Sequence, residues 1–265
     1  MSQKSSTLCS IVPYEAYSFE DSEKYYETYS SSELAITQKK GGWDCFRHLE
    51  IIVANSVPLF LNSSRIPKYS MIHYPKAIFR QIEDDYLRHS IFPSSTMSGD
   101  LIHYAKNNLT SEAMCRYISK LSNIDLKPNE GIMFIDSKLS SEPDYLSIFN
   151  FIGFKKLYGH KVFSLFEEPD YVYIDTLQDT HKLYGHGFGY TKVLEREKRM
   201  NVEISNVKYV LISNLERDFD HLAEFRSRFP HAIFLLFWGG DSTIPKKVKS
   251  SALQITDGTI FCREI

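Results

Sequence analysis

The chain has 265 residues, with 31 Lys and Arg against 33 Asp and Glu and a formal net charge of −2. That balance excludes a general nucleic-acid binder, which needs a basic surface to hold a polyanion. Hydrophobic residues make up 43% and charged residues 24%, so the chain can bury a sizeable core in one large or two small domains.

The first ten residues are polar, and no run of eighteen apolar residues occurs. Neither a secretion signal nor a membrane span is expected. Cys9, Cys45, Cys115 and Cys262 are scattered, with no Cys-x-x-Cys pair. This spacing suits neither a zinc site nor a disulfide framework, so reduced thiols in a cytoplasmic protein, with no metal and no cofactor, are the expectation. Tyrosine and phenylalanine are abundant, at 17 and 18. Exposed tyrosines suit sugar sites, although core packing accounts for most aromatic side chains.

Residues 1–32 turn from polar to aromatic and acidic and read as a loop and short helix leading into a strand at Leu34–Thr37. Lys39-Lys40-Gly41-Gly42-Trp43-Asp44-Cys45-Phe46-Arg47-His48-Leu49-Glu50 follows, and Val57–Leu61 reads as the next strand. The order strand, glycine loop, helix, strand is one βαβ unit with a helix N terminus at the carboxyl end of a strand. Free N–H groups, the helix dipole and close-approaching glycines suit an anion there, and Lys40 and Arg47 add full charges. A phosphate or diphosphate cradle made of Lys40, Gly41, Gly42 and Arg47 is therefore expected. Asp44 is the expected N-cap, with Phe46, Leu49 and Val53 as the buried stripe. Glu50 flanks that stripe. A partly buried carboxylate needs partners, which ribose hydroxyls would supply; an i, i+3 pair with Arg47 is the alternative.

Residues 62–100 read as irregular, punctuated by Pro67, Pro75 and Pro93. Helices are expected at 99–106 and 110–122, then a linker over 122–131 containing Pro128, Asn129 and Gly131. Beyond it the pattern alternates: strands at 132–135, 162–165, 208–212, 232–237 and 259–263, helices at 143–158 and 217–228. Alternation of this kind implies a mostly parallel sheet covered on both faces. Two α/β lobes result, 1–125 and 130–265.

In the second lobe, Leu183-Tyr184-Gly185-His186-Gly187-Phe188-Gly189-Tyr190 has three glycines at spacing two, following the second strand of the lobe. Such a backbone can wrap a ligand and display Tyr184 and His186; a flexible surface loop is the alternative. It is neither a dinucleotide fingerprint nor a Walker loop. Asp136 and Asp241 fall just past carboxyl strand ends, where open α/β sheets bind ligands, and either one could instead be a helix cap.

These segments resemble GT-B glycosyltransferases of the exostosin-like or glycosyltransferase-family-1-like kind. The resemblance rests on Tyr25-Tyr26, Thr37-x-Lys39-Lys40-Gly41-Gly42-Trp43-Asp44-Cys45-x-Arg47-His48-x-Glu50-Ile51, Ala54-Asn55-x-x-Pro58-x-Phe60 and Pro75-Lys76, and Asn108-Leu109-Thr110 is similar to the terminal helix of such proteins. It implies two Rossmann-like lobes facing across a cleft, a nucleotide-sugar donor and a glycan or other hydroxyl acceptor. Glu50 is implied to meet the ribose, with Lys40 and Arg47 on the diphosphate. Asp144-Tyr145-Leu146, Leu183-Tyr184-Gly185-x-Gly187-Phe188 and Phe261-x-Arg263-Glu264 are similar to the lobe that ordinarily comes first. Here they come second, as in a circular permutation, which would bring Ile265 close to Leu8–Pro13. Metal-independent transfer is expected, with Lys40, Arg47 and the helix N terminus neutralising the leaving diphosphate. His186 or Asp136 would act as base, and Tyr184, Gly187 and Asp241 would contact substrate. A relative that binds a nucleotide sugar or glycan without turnover is the alternative, and an unrelated enzyme holding a phosphorylated metabolite is a further one.

Overall fold

The structure, a computed structural model, describes residues 4–14, 22–94, 96–197 and 204–263. The chain divides between Thr110 and Ser111 into two compact α/β units, each built on a parallel sheet.

The first unit has three strands, β1 (Ser6–Leu8), β2 (Ser32–Thr37) and β3 (Val57–Phe60), in that spatial order and all parallel. Helix α1 (Ser22–Ser30) connects β1 to β2, and α2 (Phe46–Val53) connects β2 to β3. Asn55, at φ 62, ends α2 in the left-handed region that Asn tolerates. The buried face of α2 differs from the expected stripe. Arg47, His48, Glu50, Ile51 and Ile52 are buried and Val53 is 55% exposed. The helix packs against α1 as well as the sheet and α4 (Met97–Asn108), so two faces are covered and polar side chains go inside.

The segment 62–100, expected to be irregular, contains α3 (Lys76–His89). Pro75 stands at its N-cap, where a missing N–H costs nothing. Phe79 and Ile82, spaced i, i+3, turn its apolar face into the core with Phe60 and Leu101.

The second unit opens with α5 (Ser111–Leu121). The expected linker at 122–131 therefore lies inside this unit, and the lobe boundary falls ahead of it. The reason is contact: α5 lies on α6 (Tyr145–Tyr158) so closely that a Cβ on Gly153 would stand 2.4 Å from the Ser111 carbonyl oxygen and 2.5 Å from Cys115 Sγ.

Strands β4 (Gly131–Ile135), β5 (Val162–Ser164), β6 (Val207–Ile212), β7 (Ile233–Trp238) and β8 (Thr259–Cys262) form one parallel sheet in the order β5-β4-β6-β7-β8. Alternate residues face opposite cores, as period-two pleating requires. Phe134, Leu211 and Leu235 face α5 and α6. Ile135, Ile212 and Leu236 face α7 (Leu215–Asp218), α8 (Leu222–Arg228) and α9 (Lys246–Thr256). A 3₁₀ turn at Phe219–His221 breaks the single helix expected at 217–228. Among the described residues, no helix is long and apolar enough to cross a membrane. Ile265 lies outside the described residues.

Candidate functional site

The loop leaving β2 is pinned at three places. The Tyr14 hydroxyl donates to the carbonyl of Lys39 and, at 3.2 Å, to that of Lys40. The Trp43 ring is buried in the core. His48, fully buried, bridges the Trp43 carbonyl oxygen, 2.8 Å from Nε2, and Thr37 Oγ1, 2.8 Å from Nδ1. A carbonyl only accepts, so Nε2 carries the proton and Nδ1 accepts from the threonine hydroxyl. Burial pushes the His48 imidazolium down to about 4, with Arg47 lowering it further and the Trp43 hydrogen bond opposing. His48 is thus a neutral tie between the end of β2 and the far side of the loop.

Between these ties Lys40 and Gly41 are exposed, and the Lys40 N–H closes a tight turn on the Gly42 carbonyl at 3.2 Å. Cys45, rather than Asp44, is the N-cap of α2, and its thiol makes no capping bond. Burial raises the Cys45 thiol against the opposing effects of Arg47 and Lys40. Asp44 stands just before the cap; Lys40 is exposed on the loop and Arg47 is buried in the first turn of α2.

Glu50 is 7% exposed. Its Oε2 accepts from the Tyr25 hydroxyl at 2.9 Å and its Oε1 from that of Tyr26 at 3.5 Å. Burial holds its carboxyl above the ordinary range. The Tyr25 bond, the Arg47 charge, the Tyr26 bond and the Lys40 charge act the other way. Lys40, Gly41 and Gly42 lie on the loop from β2, and Arg47 and Glu50 on the helix that follows it, with Arg47 and Lys40 both acting on Glu50. The structure also supplies Tyr25 and Tyr26, whose role the sequence had not assigned. Their hint was local: two adjacent tyrosines in an acidic segment, on the helix packed against α2.

In the second unit the expected residues are less closely gathered. Asp136 follows β4 and is buried, accepting from Ser147 Oγ at 2.5 Å, from the Lys138 N–H at 3.0 Å and from Arg217 Nη1 at 3.3 Å. Burial raises its carboxyl, while Ser147, the Lys138 amide and Arg217 pull it down. A carboxylate with these three donors is disposed as a structural hub.

The loop with Tyr184, His186 and Gly187 does not follow β5 directly; 3₁₀ turns at Asp170–Val172 and Thr180–Lys182 intervene. It is braced rather than loose. The Tyr190 hydroxyl donates to the Tyr184 carbonyl at 2.6 Å, and Thr191 Oγ1 to that of Gly187 at 3.0 Å. Gly185, at φ 58, lies against Tyr145, where a Cβ would meet the phenol oxygen at 2.2 Å. His186 is exposed, its Nδ1 3.1 Å from the His181 carbonyl oxygen. Asp241 is exposed and paired with Arg263. Among the described residues, no group of three or more His, Cys, Asp or Glu side chains is placed to hold a metal ion.

No protein-family model matches the chain, and no curated protein or solved structure matches it.

Proposed function

We propose that the protein is a glycosyltransferase of GT-B type, with its lobes in circularly permuted order, that moves a sugar from a nucleotide diphosphate sugar to a hydroxyl acceptor. The observation that carries this reading is Glu50. It is a buried carboxylate held by two tyrosine hydroxyls, with Lys40 and Arg47 near enough to act on it, beside a loop at the carboxyl end of a parallel strand. A group of acceptor oxygens next to two cations matches the two ends of a ribose diphosphate. Lys40, Arg47 and the dipole of α2 would stabilise the charge that develops on the leaving diphosphate, which is electrostatic catalysis by preorganised groups. An inverting route would also need a general base.

The test is thermal shift of the whole chain with UDP, GDP and CMP, followed by hydrolysis of the sugar nucleotide whose nucleotide stabilises. Stabilisation by one nucleotide together with donor turnover supports the reading. No shift with any of the three would refute it. A second reading, a nucleotide-sugar or glycan binder without turnover, is favoured by one observation: Asp136 is buried and fully engaged. Binding without hydrolysis or transfer would select it.

A further inference from the structure

A cavity of about 230 Å³ opens between one flank of α3, the segment that follows this helix and the start of α4. Its walls are mostly apolar, with Ile78 and Ile82 from α3, Ile91, Phe92 and Pro93 from the segment and Met97 from α4. None of the cradle residues lines it. Ser90 turns the segment into place. It is the C-cap of α3 at φ 54, in the left-handed region that glycine takes without steric cost. The Ile91 N–H then returns to the Asp85 carbonyl oxygen at 3.0 Å. Tyr86 braces the Phe92 ring edge-on, with centroids 5.6 Å apart. Ile78, Ile91 and Phe92 nevertheless remain 38%, 54% and 47% exposed. Exposed apolar residues scattered singly need no explanation, but a group of them round a concavity marks a place that receives a ligand.

One charged side chain lines the cavity, that of Asp85. It ends a run of three carboxylates whose other two members are engaged elsewhere. Glu83 accepts from the Asn62 N–H at 2.5 Å and the Ser63 N–H at 2.8 Å, and Asp84 pairs with Arg88 at 2.8 Å. Asp85 Oδ1 accepts from the uncharged Gln81 side chain at 2.8 Å, and among the described residues no cation pairs with this carboxylate.

A carboxylate in the wall of an apolar cavity discriminates between ligands. It repels an anion, and a neutral hydrocarbon would cover it without pairing it, at a desolvation cost. A metal ion would find one carboxylate where it needs several oxygen ligands. A helical peptide needs a row of apolar anchors, whereas next to the cavity α3 presents the exposed Asp84–Arg88 pair. An organic cation with an apolar body satisfies both the walls and the charge. Size narrows it further. An apolar cavity of about 150 Å³ encloses benzene, and drug-sized ligands occupy about 300 Å³ or more. This cavity falls between them and suits one aromatic ring on a short charged tail.

We propose that the cavity binds a small arylalkylamine, with its ring among Ile82, Phe92 and Met97 and its ammonium group on Asp85. The site is independent of the glycosyltransferase reading.

The experiment is isothermal titration of the full chain with phenethylamine and tryptamine, and with 2-phenylethanol and phenylacetate as neutral and anionic counterparts. At least one amine is expected to bind. The alcohol should bind about tenfold or more weakly, the scale of one charge-assisted hydrogen bond, and the acid more weakly still. Asp85→Asn should bring the amine to the level of the alcohol and leave the alcohol unchanged, whereas Phe92→Ala should weaken both. Asparagine keeps an oxygen for Gln81, and Phe92 is half exposed, so both variants should fold; if only one does, it decides alone. Absence of amine binding, amine binding undiminished in a folded variant, or phenylacetate binding as tight as the amine overturns the proposal. So does self-association in sedimentation that Phe92→Ala abolishes while no amine binds, which would assign the cavity to a second copy of the chain.

Discussion

The Tyr25 hydroxyl donates to Glu50 Oε2 at 2.9 Å across 25 residues of sequence, joining α1 to α2. The bond fixes the carboxylate of a helix whose polar face would otherwise be free to turn. Tyr29 extends the chain, its hydroxyl 3.4 Å from that of Tyr25. A buried acceptor thereby becomes a rigid one, and rigidity is what a binding carboxylate needs to meet a ribose in a single geometry.

The first prediction concerns this carboxylate and its cation. Glu50→Gln and Arg47→Ala should each weaken binding of the stabilising nucleotide by about ten- to hundredfold, the value of one charge-assisted hydrogen bond, measured by isothermal titration. Burial raises the Glu50 carboxyl, so ionisation in the fold carries a cost, and a neutral amide of the same size should leave the melting temperature close to that of the parent. Wild-type affinity in both variants would assign Glu50 to structure alone.

Metal removal gives the second. EDTA should leave donor hydrolysis and transfer unchanged, because Lys40, Arg47 and the N terminus of α2 supply the positive charge in the proposed mechanism. Loss of turnover with EDTA and its return with manganese would count against that arrangement.

A third follows from His48. Its imidazolium is depressed from 6.5 to about 4. The unfolded chain therefore binds more protons than the folded one between those values, and stability falls as pH drops through that window. At about 1.4 kcal/mol per unit, the loss attributable to this residue is on the order of 3 kcal/mol by pH 4. Urea unfolding of wild type and His48→Gln at several pH values isolates it. The variant, already weakened at pH 7, should show a shallower decline, and parallel curves would remove His48 as the titrating tie.

Packing gives the fourth. At Gly153 a Cβ would collide with the Ser111 backbone and Cys115 Sγ. Gly153→Ala should therefore destabilise the second unit by about 1–3 kcal/mol, the usual cost of overpacking, despite alanine's better helix propensity. Thermal unfolding followed by circular dichroism reads this directly. An unchanged or raised melting temperature would mean that α5 does not rest on α6 as described.

Local spacing made a good deal of this protein legible. The short apolar runs at 132–135, 208–212 and 232–237 are strands buried on both faces, and their alternation with helices already implied parallel sheets. Glu50's place beside apolar neighbours marked it as a carboxylate in need of partners. Such features are set within a turn or two of the chain, where a 3.6- or 2-residue period says which side chains share a face.

What the sequence did not determine is which face meets what. The buried side of α2 was set by α1 and α4 as well as the sheet, so His48 and Glu50 went inside while Val53 stayed out. Helix α3 was hidden by the prolines around it, and α5 joined the second unit through a glycine 42 positions beyond Ser111 (153 − 111). Asn214 reaches Asp144 across 70 residues, and Tyr25 reaches Glu50 across 25. Pairings of this kind depend on how whole elements pack, and packing distinguishes among partners that the local pattern leaves equivalent.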